Sequence, residues 1–270
     1  MGTLAARTST TRRLRRGLAL AACTALLGLT ACGADEETGS EDPAAPASAE
    51  EGDPGAAGER TGILLATDPE IDETSGDGAP SLPADELAAL LTENYGGESA
   101  CTGDLVLEIG SEVSCTGPER VEGDLGSQDW VASAVAVPGE DGLAEGYRVG
   151  VLFTTGTGLP EAASVLAQED VTLTGLGFGS MFGAEPLDAE ELADSTLQVL
   201  TSENAYAPVD QDADWSEVTC EDGLDLTDFR AVDCTATTSE GDAWALHVAP
   251  GTFFGADQGL LVGIVRPSGA

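Results

Sequence analysis

The chain contains no lysine, a single histidine (His247) and two methionines in 270 residues, and aromatic side chains make up only 4% of it. Each scarcity excludes something. Phosphate backbones are bound by clustered cations, and ten arginines, five of them within the first 16 residues, supply no such cluster, so nucleic acid is excluded as a partner. One histidine and the absence of any C-x₂-C spacing leave no thiolate–imidazole metal site. The G-x-S-x-G turn of serine hydrolases and the H-E-x-x-H helix of metalloproteases are also missing. No apolar run reaches the roughly 20 residues needed to span a bilayer. The longest, Leu18 to Leu29, covers 12.

That run has a context of its own. Arg7, Arg12, Arg13, Arg15 and Arg16 precede it with no acid among them, and Leu29-Thr30-Ala31-Cys32 closes it. A basic segment, a short apolar segment and a small-residue cleavage site form an export signal. Its last four residues resemble the lipobox of bacterial lipoproteins. That resemblance implies a diacylglyceryl thioether on Cys32, with palmitate-like chains, and cleavage before it. Two acyl chains give stable anchoring where one is marginal. Arg15-Arg16-Gly17-Leu18 faintly resembles a twin-arginine signal, and the export route stays open between that and the general one. The expected location is the extracytoplasmic face of the cell membrane.

Loss of residues 1–31 removes five arginines and no acid. The remainder keeps Arg60, Arg120, Arg148, Arg230 and Arg266 against 49 acids, a net charge of −44. Such a chain repels anionic lipid, so only the acyl anchor can hold it on a membrane. The charge favours solubility and opposes compaction, and salt screens it over about 8–10 Å.

Residues 32–80 are rich in Ala, Gly, Pro, Ser and acid, and read as a disordered tether interrupted by the apolar Ile63-Leu64-Leu65. Folded structure is expected from Ser81. There Ser81, Pro83, Asp85 and Glu86 open a helix whose Leu87, Leu90, Leu91 and Tyr95 share a face, and Gly96-Gly97 ends it. Asp188 and Glu191 open a second helix carrying Leu192, Thr196, Val199 and Leu200. Strands are expected at 130–137, 147–155, 232–238, 244–249 and 260–266, and a short helix at 160–168. The glycine-rich 175–183 lacks the order of a phosphate loop and reads as a flexible hairpin or connector.

Cysteine spacing carries the most specific pattern. Cys101 and Cys115 lie 14 apart, as do Cys220 and Cys234. Leu105 and Leu224 follow the first cysteine by four, Leu107 and Leu226 by six, and Val113 and Val232 by twelve. Each pair follows a predicted helix. This is an internal repeat, and of the three pairings that four cysteines allow it favours Cys101–Cys115 and Cys220–Cys234. In an extracytoplasmic protein such cysteines oxidise. The pattern is similar to a small cysteine-paired domain of unknown function found in actinobacterial lipoproteins and membrane proteins. In that family a Pro follows the first Cys, a Leu comes four later, a Gly nine later and the second Cys fourteen later. Cys101, Leu105, Gly110 and Cys115 match, with Thr102 in place of the Pro. Cys220, Leu224 and Cys234 match, with Glu221 and Phe229 in place of the Pro and Gly. Membership implies an extracytoplasmic module with no assigned activity.

Chemistry is sparsely supplied. His247 alternates away from Trp244, Leu246 and Val248 and has no evident nucleophile to serve. Carboxylate pairs of the kind a glycoside hydrolase uses occur anywhere in so acidic a chain and decide nothing. Asp210, Asp212, Asp214 and Glu221 fall at positions 1, 3, 5 and 12 of an EF-hand-like calcium register, although Trp215 takes the place of the turn Gly and Cys220 lies inside the loop.

The expected fold is α+β: two related modules, each a helix packed on a small antiparallel sheet, at residues 81–159 and 187–270, joined by a connector at 160–186. The expected role is a non-catalytic, membrane-anchored binder of an envelope protein or cell-wall component. A calcium-dependent binding module and an envelope hydrolase are the alternatives.

Overall fold

The computed structural model describes residues 62–66, 80–119, 126–139, 142–179, 185–209, 213–253 and 258–265. All lie within one compact unit, Gly52–Ala270. Twelve strands, two α-helices and one 3₁₀-helix follow in order: β1 (Ile63–Ala66), β2 (Ser81–Leu82), α1 (Ala84–Tyr95), β3 (Ala100–Cys101), β4 (Leu105–Val106), β5 (Glu112–Pro118), β6 (Ser127–Gly139), β7 (Gly142–Thr155), the 3₁₀-helix (Glu161–Ala167), β8 (Val171–Gly179), α2 (Ala189–Thr201), β9 (Trp215–Cys220), β10 (Val232–Thr238), β11 (Ala243–Thr252) and β12 (Gln258–Val265).

Ten strands form one mixed sheet, in the order β1-β7-β6-β8-β12-β11-β10-β9, with β5 also on β6 and β3 on β5. All its registered neighbours are antiparallel except β6 and β8, which meet in parallel at Ala136 and Thr172. The expectation of two modules, each a helix on its own small sheet, is therefore corrected: the strands share a single large sheet and strand dominates over helix. The reason lies in β6 and β12. Trp130 to Pro138 and Gly259 to Ile264 are buried without interruption, the mark of strands covered on both faces. A small sheet with one wet face has no place for such strands.

Inside this sheet the order of pairing repeats. In the first half β3 pairs with β5, β5 with β6, β6 with β7, and β7 with β1, the strand that precedes the helix. In the second half β9 pairs with β10, β10 with β11, β11 with β12, and β12 with β8, again the strand before the helix. Even a minor bridge recurs: Leu82 opposite Leu105, and Leu187 opposite Leu224. β1 also runs close beside β11 without pairing to it, in the place that β8 takes beside β6, where the two do pair.

Three apolar clusters follow. Leu87 and Leu91 of α1 cover Trp130, Phe153, Val151 and Leu64. Leu192, Val199 and Leu200 of α2 cover Leu246, Val248, Val262 and Ile264. The third cluster lies on the opposite faces of both halves, where Ile63, Leu65, Val135, Leu152, Leu173 and Leu261 meet Ala163 and Leu166 of the 3₁₀-helix.

Two stretches differ from expectation. Ile63–Ala66, placed by composition within the tether, is a fully buried strand registered on β7 from Thr154 to Val151. The rest of the 32–80 span, apart from Gly62 and Pro80, lies outside the described residues, as do Cys32 and the signal. Residues 171–179, expected in part as a flexible connector, form a central strand. Gly175 in it and Gly259 in the neighbouring β12 make room for an aromatic ring. A Cβ on Gly175 would lie 2.5 Å from Phe253 Cζ, and one on Gly259 of β12 only 2.7 Å from Phe253 Cε2.

The helix ends obey local chemistry. At α2 the Asp188 carboxylate accepts from the backbone N–H of Glu190 and Glu191, and the Glu191 carboxylate accepts from Asp188 N–H, a complete capping box. At α1 the expected Ser81 cap is instead a strand residue opposite Val106. The helix starts after Pro83, and the Asp104 carboxylate accepts from Ala84 N–H at 3.0 Å.

Candidate functional site

Both favoured disulfides are formed, Cys101–Cys115 between β3 and β5 and Cys220–Cys234 between β9 and β10. In each pair the two cysteines sit directly opposite one another, with Cα atoms 4.0 Å apart. The flanking bonds fix the phase of the ladder. Glu221 N–H donates to Asp233 O at 3.0 Å and Thr102 N–H to Ser114 O at 2.9 Å. The cysteines therefore occupy the non-hydrogen-bonded positions, where opposing side chains come closest.

The two halves diverge just outside their disulfides. Tyr95 of α1 precedes Cys101 by 6 positions, whereas its counterpart Leu200 of α2 precedes Cys220 by 20. Part of the extra chain in the second half lengthens β9 to six residues, against two in β3. Trp215 and Val218 of β9 are buried, and Trp215 meets Trp244 edge-on with ring centroids 5.7 Å apart.

In the first half the corresponding place is a cleft of about 800 Å³ at the C-terminal end of α1. Thr92, Glu98, Ser99, Thr116, Pro118 and Ser127 line it. Counted from the cysteines, Ser99 takes the place of Val218 and Gln128 that of Trp244, so positions that are apolar in the filled half are polar in the open one. Pro118 stands where the second half has Thr237, the residue paired with Glu217 of β9. Glu119 N–H donates to Gly126 O on the β6 side at 2.8 Å, so the backbone groups of Pro118 face the outer edge. There proline offers no N–H. Its carbonyl already accepts from Gln128 Nε2 at 3.1 Å and Trp130 Nε1 at 3.3 Å. This closes the edge to a longer β3.

Other candidate residues are placed as follows. His247 Nδ1 lies 2.7 Å from Asp233 Oδ1 across the β10–β11 register. The half-buried Arg230 donates to Asp222 Oδ2 at 3.2 Å and Gly223 O at 2.9 Å, and its Nε lies 3.7 Å from Asp228. The Gly223 N–H, and then the Arg230 guanidinium, hold the Asp222 carboxyl below its ordinary pKa, and the Thr227 hydroxyl and N–H do the same for Asp225. Of the calcium register, Asp210 and Asp212 lie outside the described residues. Asp214 accepts from Ser239 Oγ at 2.6 Å, and Glu221 adjoins the second disulfide. Among the described residues no group of three or more His, Cys, Asp or Glu side chains is placed to hold a metal, and no helix is long and apolar enough to cross a membrane.

Sequence reasoning missed the cleft. Its one visible signal was the different helix-to-cysteine spacing of the two repeats. No known protein family, curated protein or solved structure matches the chain.

Proposed function

We propose that the chain is a bacterial lipoprotein, held at the extracytoplasmic face of the cell membrane by a lipid on Cys32, where it binds an envelope protein or cell-wall component without catalysing a reaction. Leu29-Thr30-Ala31-Cys32, closing a basic and then an apolar segment, is the observation that carries the anchor. Two supports stand beside it. Formed disulfides fit an oxidising compartment. A net charge of −44 without the signal requires some means other than basic residues to stay on an anionic surface. Non-catalytic binding is favoured by a lone histidine whose Nδ1 is held against the Asp233 carboxylate, and by an open cleft in one half where the other is filled.

The test is cell fractionation with fatty-acid labelling. The native chain is expected in the membrane fraction and labelled; Cys32→Ser is expected unlabelled and in the soluble fraction. A Cys32→Ser chain that stayed on the membrane would overturn the anchor.

A further inference from the structure

We propose that the cleft at the C-terminal end of α1 is a binding site for a short neutral saccharide. The inference rests on reading the chain as an envelope binding protein and gives that reading a ligand class.

The internal repeat shows what kind of space this is. The second half fills the same position with its own chain, Trp215 and Val218, packed against Trp244. The first half lacks that chain, and its positions have changed character accordingly: Ser99 for Val218 and Gln128 for Trp244. The Ser99 hydroxyl is buried without a hydrogen-bond partner, and an apolar occupant would leave it so, which is unfavourable. A lipid or a hydrophobic side chain is therefore a poor match.

Two other classes fail for separate reasons. An anion meets Glu98 and, among the described lining residues, no cation, in a chain of strongly negative charge. A peptide added as a strand needs backbone donors and acceptors at the sheet edge. Pro118 has no donor there, and its carbonyl is already taken by Gln128 and Trp130. A neutral, hydroxyl-bearing ligand is what the lining can satisfy. The hydroxyls of Thr92 and Ser127 can each donate or accept, that of Thr116, which donates to Ala100 O, can accept, and the Glu98 carboxylate accepts. Such a set suits adjacent ring hydroxyls. The volume of about 800 Å³ lies within the range of roughly 300–1,000 Å³ common to small-molecule sites.

The test uses the full chain carrying Cys32→Ser, titrated by calorimetry and ligand-observed NMR with two probes, a β-1,4-linked N-acetylglucosamine tetrasaccharide and maltotetraose. An Ala-Val-Ala-Val tetrapeptide is the comparison. At least one saccharide is expected to bind saturably. Thr92→Val, Glu98→Gln and Ser127→Ala are each expected to weaken it about 2- to 10-fold, the effect of one lost hydrogen bond, with unchanged melting temperature. Thr235→Val, on the open sheet face of the second half, should leave it unaltered. Failure of both saccharides to saturate at about 10 mM, where even a millimolar site fills, would overturn the inference. So would binding that ignores all three cleft substitutions, or binding of the tetrapeptide alone. Fractionation of the native chain is read separately, so a membrane-bound chain that takes no saccharide refutes the ligand class and leaves the anchor standing.

Discussion

Two buried threonines should respond to one substitution in opposite directions. Thr196 of α2 and Thr174 of β8 are both fully buried. The Thr196 hydroxyl has no hydrogen-bond partner, whereas the Thr174 hydroxyl meets Tyr206 O and Ala207 O at 2.9 Å each. Valine has nearly the shape of threonine and no polar atom. At Thr196 the change removes a buried hydroxyl left unsatisfied, a group that costs about 1–3 kcal/mol. Thr196→Val is therefore expected to stabilise the protein by about 1 kcal/mol or more. At Thr174 the same change leaves two carbonyls behind. Tyr206 O still accepts from Gly175 N–H at 3.3 Å, so Ala207 O bears most of the loss. Ala207 is itself held at φ 49°, a strained conformation for a residue with a side chain. Thr174→Val is expected to destabilise by about 1–3 kcal/mol. Urea unfolding of the two variants beside the parent measures both, and in a heat scan each kcal/mol moves the midpoint by about 2–4 °C for a domain of this size. If Thr196→Val instead lost 1 kcal/mol or more, its hydroxyl must have a partner, and the account of the α2 core would be wrong.

Three further predictions are independent of this pair. Removing one disulfide through Cys220→Ala with Cys234→Ala should cost about 3 kcal/mol, the loop-entropy value for a closure of this length, read as the change in urea-unfolding free energy. Gly259→Ala should destabilise well beyond an ordinary glycine replacement, because its Cβ would sit 2.0 Å from Leu176 O and 2.7 Å from Phe253 Cε2; Gly146→Ala, at φ 104° with nothing within 4 Å, strains only its own backbone and gives a smaller loss in the same thermal assay. The Asp222 carboxyl is held below its ordinary pKa by Gly223 N–H and Arg230, so its contribution is present above about pH 4 and fades as pH falls through the lowered value. Asp222→Asn should thus be less stable than the parent at pH 7, with the difference closing in acid; a difference that grew in acid would contradict the pairing.

What the sequence made legible was local or repeated. The capping box at Asp188 and Glu191 depends on residues three apart and forms as read. The two disulfides came from a spacing that occurs twice. The strands from Trp130 and from Val232 announced themselves by β-branched residues and flanking turns. What stayed hidden depended on distant partners. Ile63–Ala66 is too short to show a period, and only its register with β7 makes it a strand. Gly175 looks like part of a loop until Phe253 is seen occupying the space its missing side chain leaves. The two-module reading failed because no local pattern shows that β6 and β12 are covered on both faces. The cleft showed in the sequence only as a difference in helix-to-cysteine spacing, because it is made by chain that one repeat has and the other lacks.

The position of β1 also has a mechanical consequence. Tension applied at Gly62 would reach Ile63 and β1 next. β1 is no peripheral strip. Leu64 belongs to the cluster under α1 and Ile63 and Leu65 to the cluster between the halves, and all four of its residues are registered along β7. A pull along the strand must shear those pairs together instead of unzipping them one by one, and drag both apolar clusters open as it does so. Force applied there therefore meets the interior first, and β1 should hold under tension until it gives way in one cooperative step.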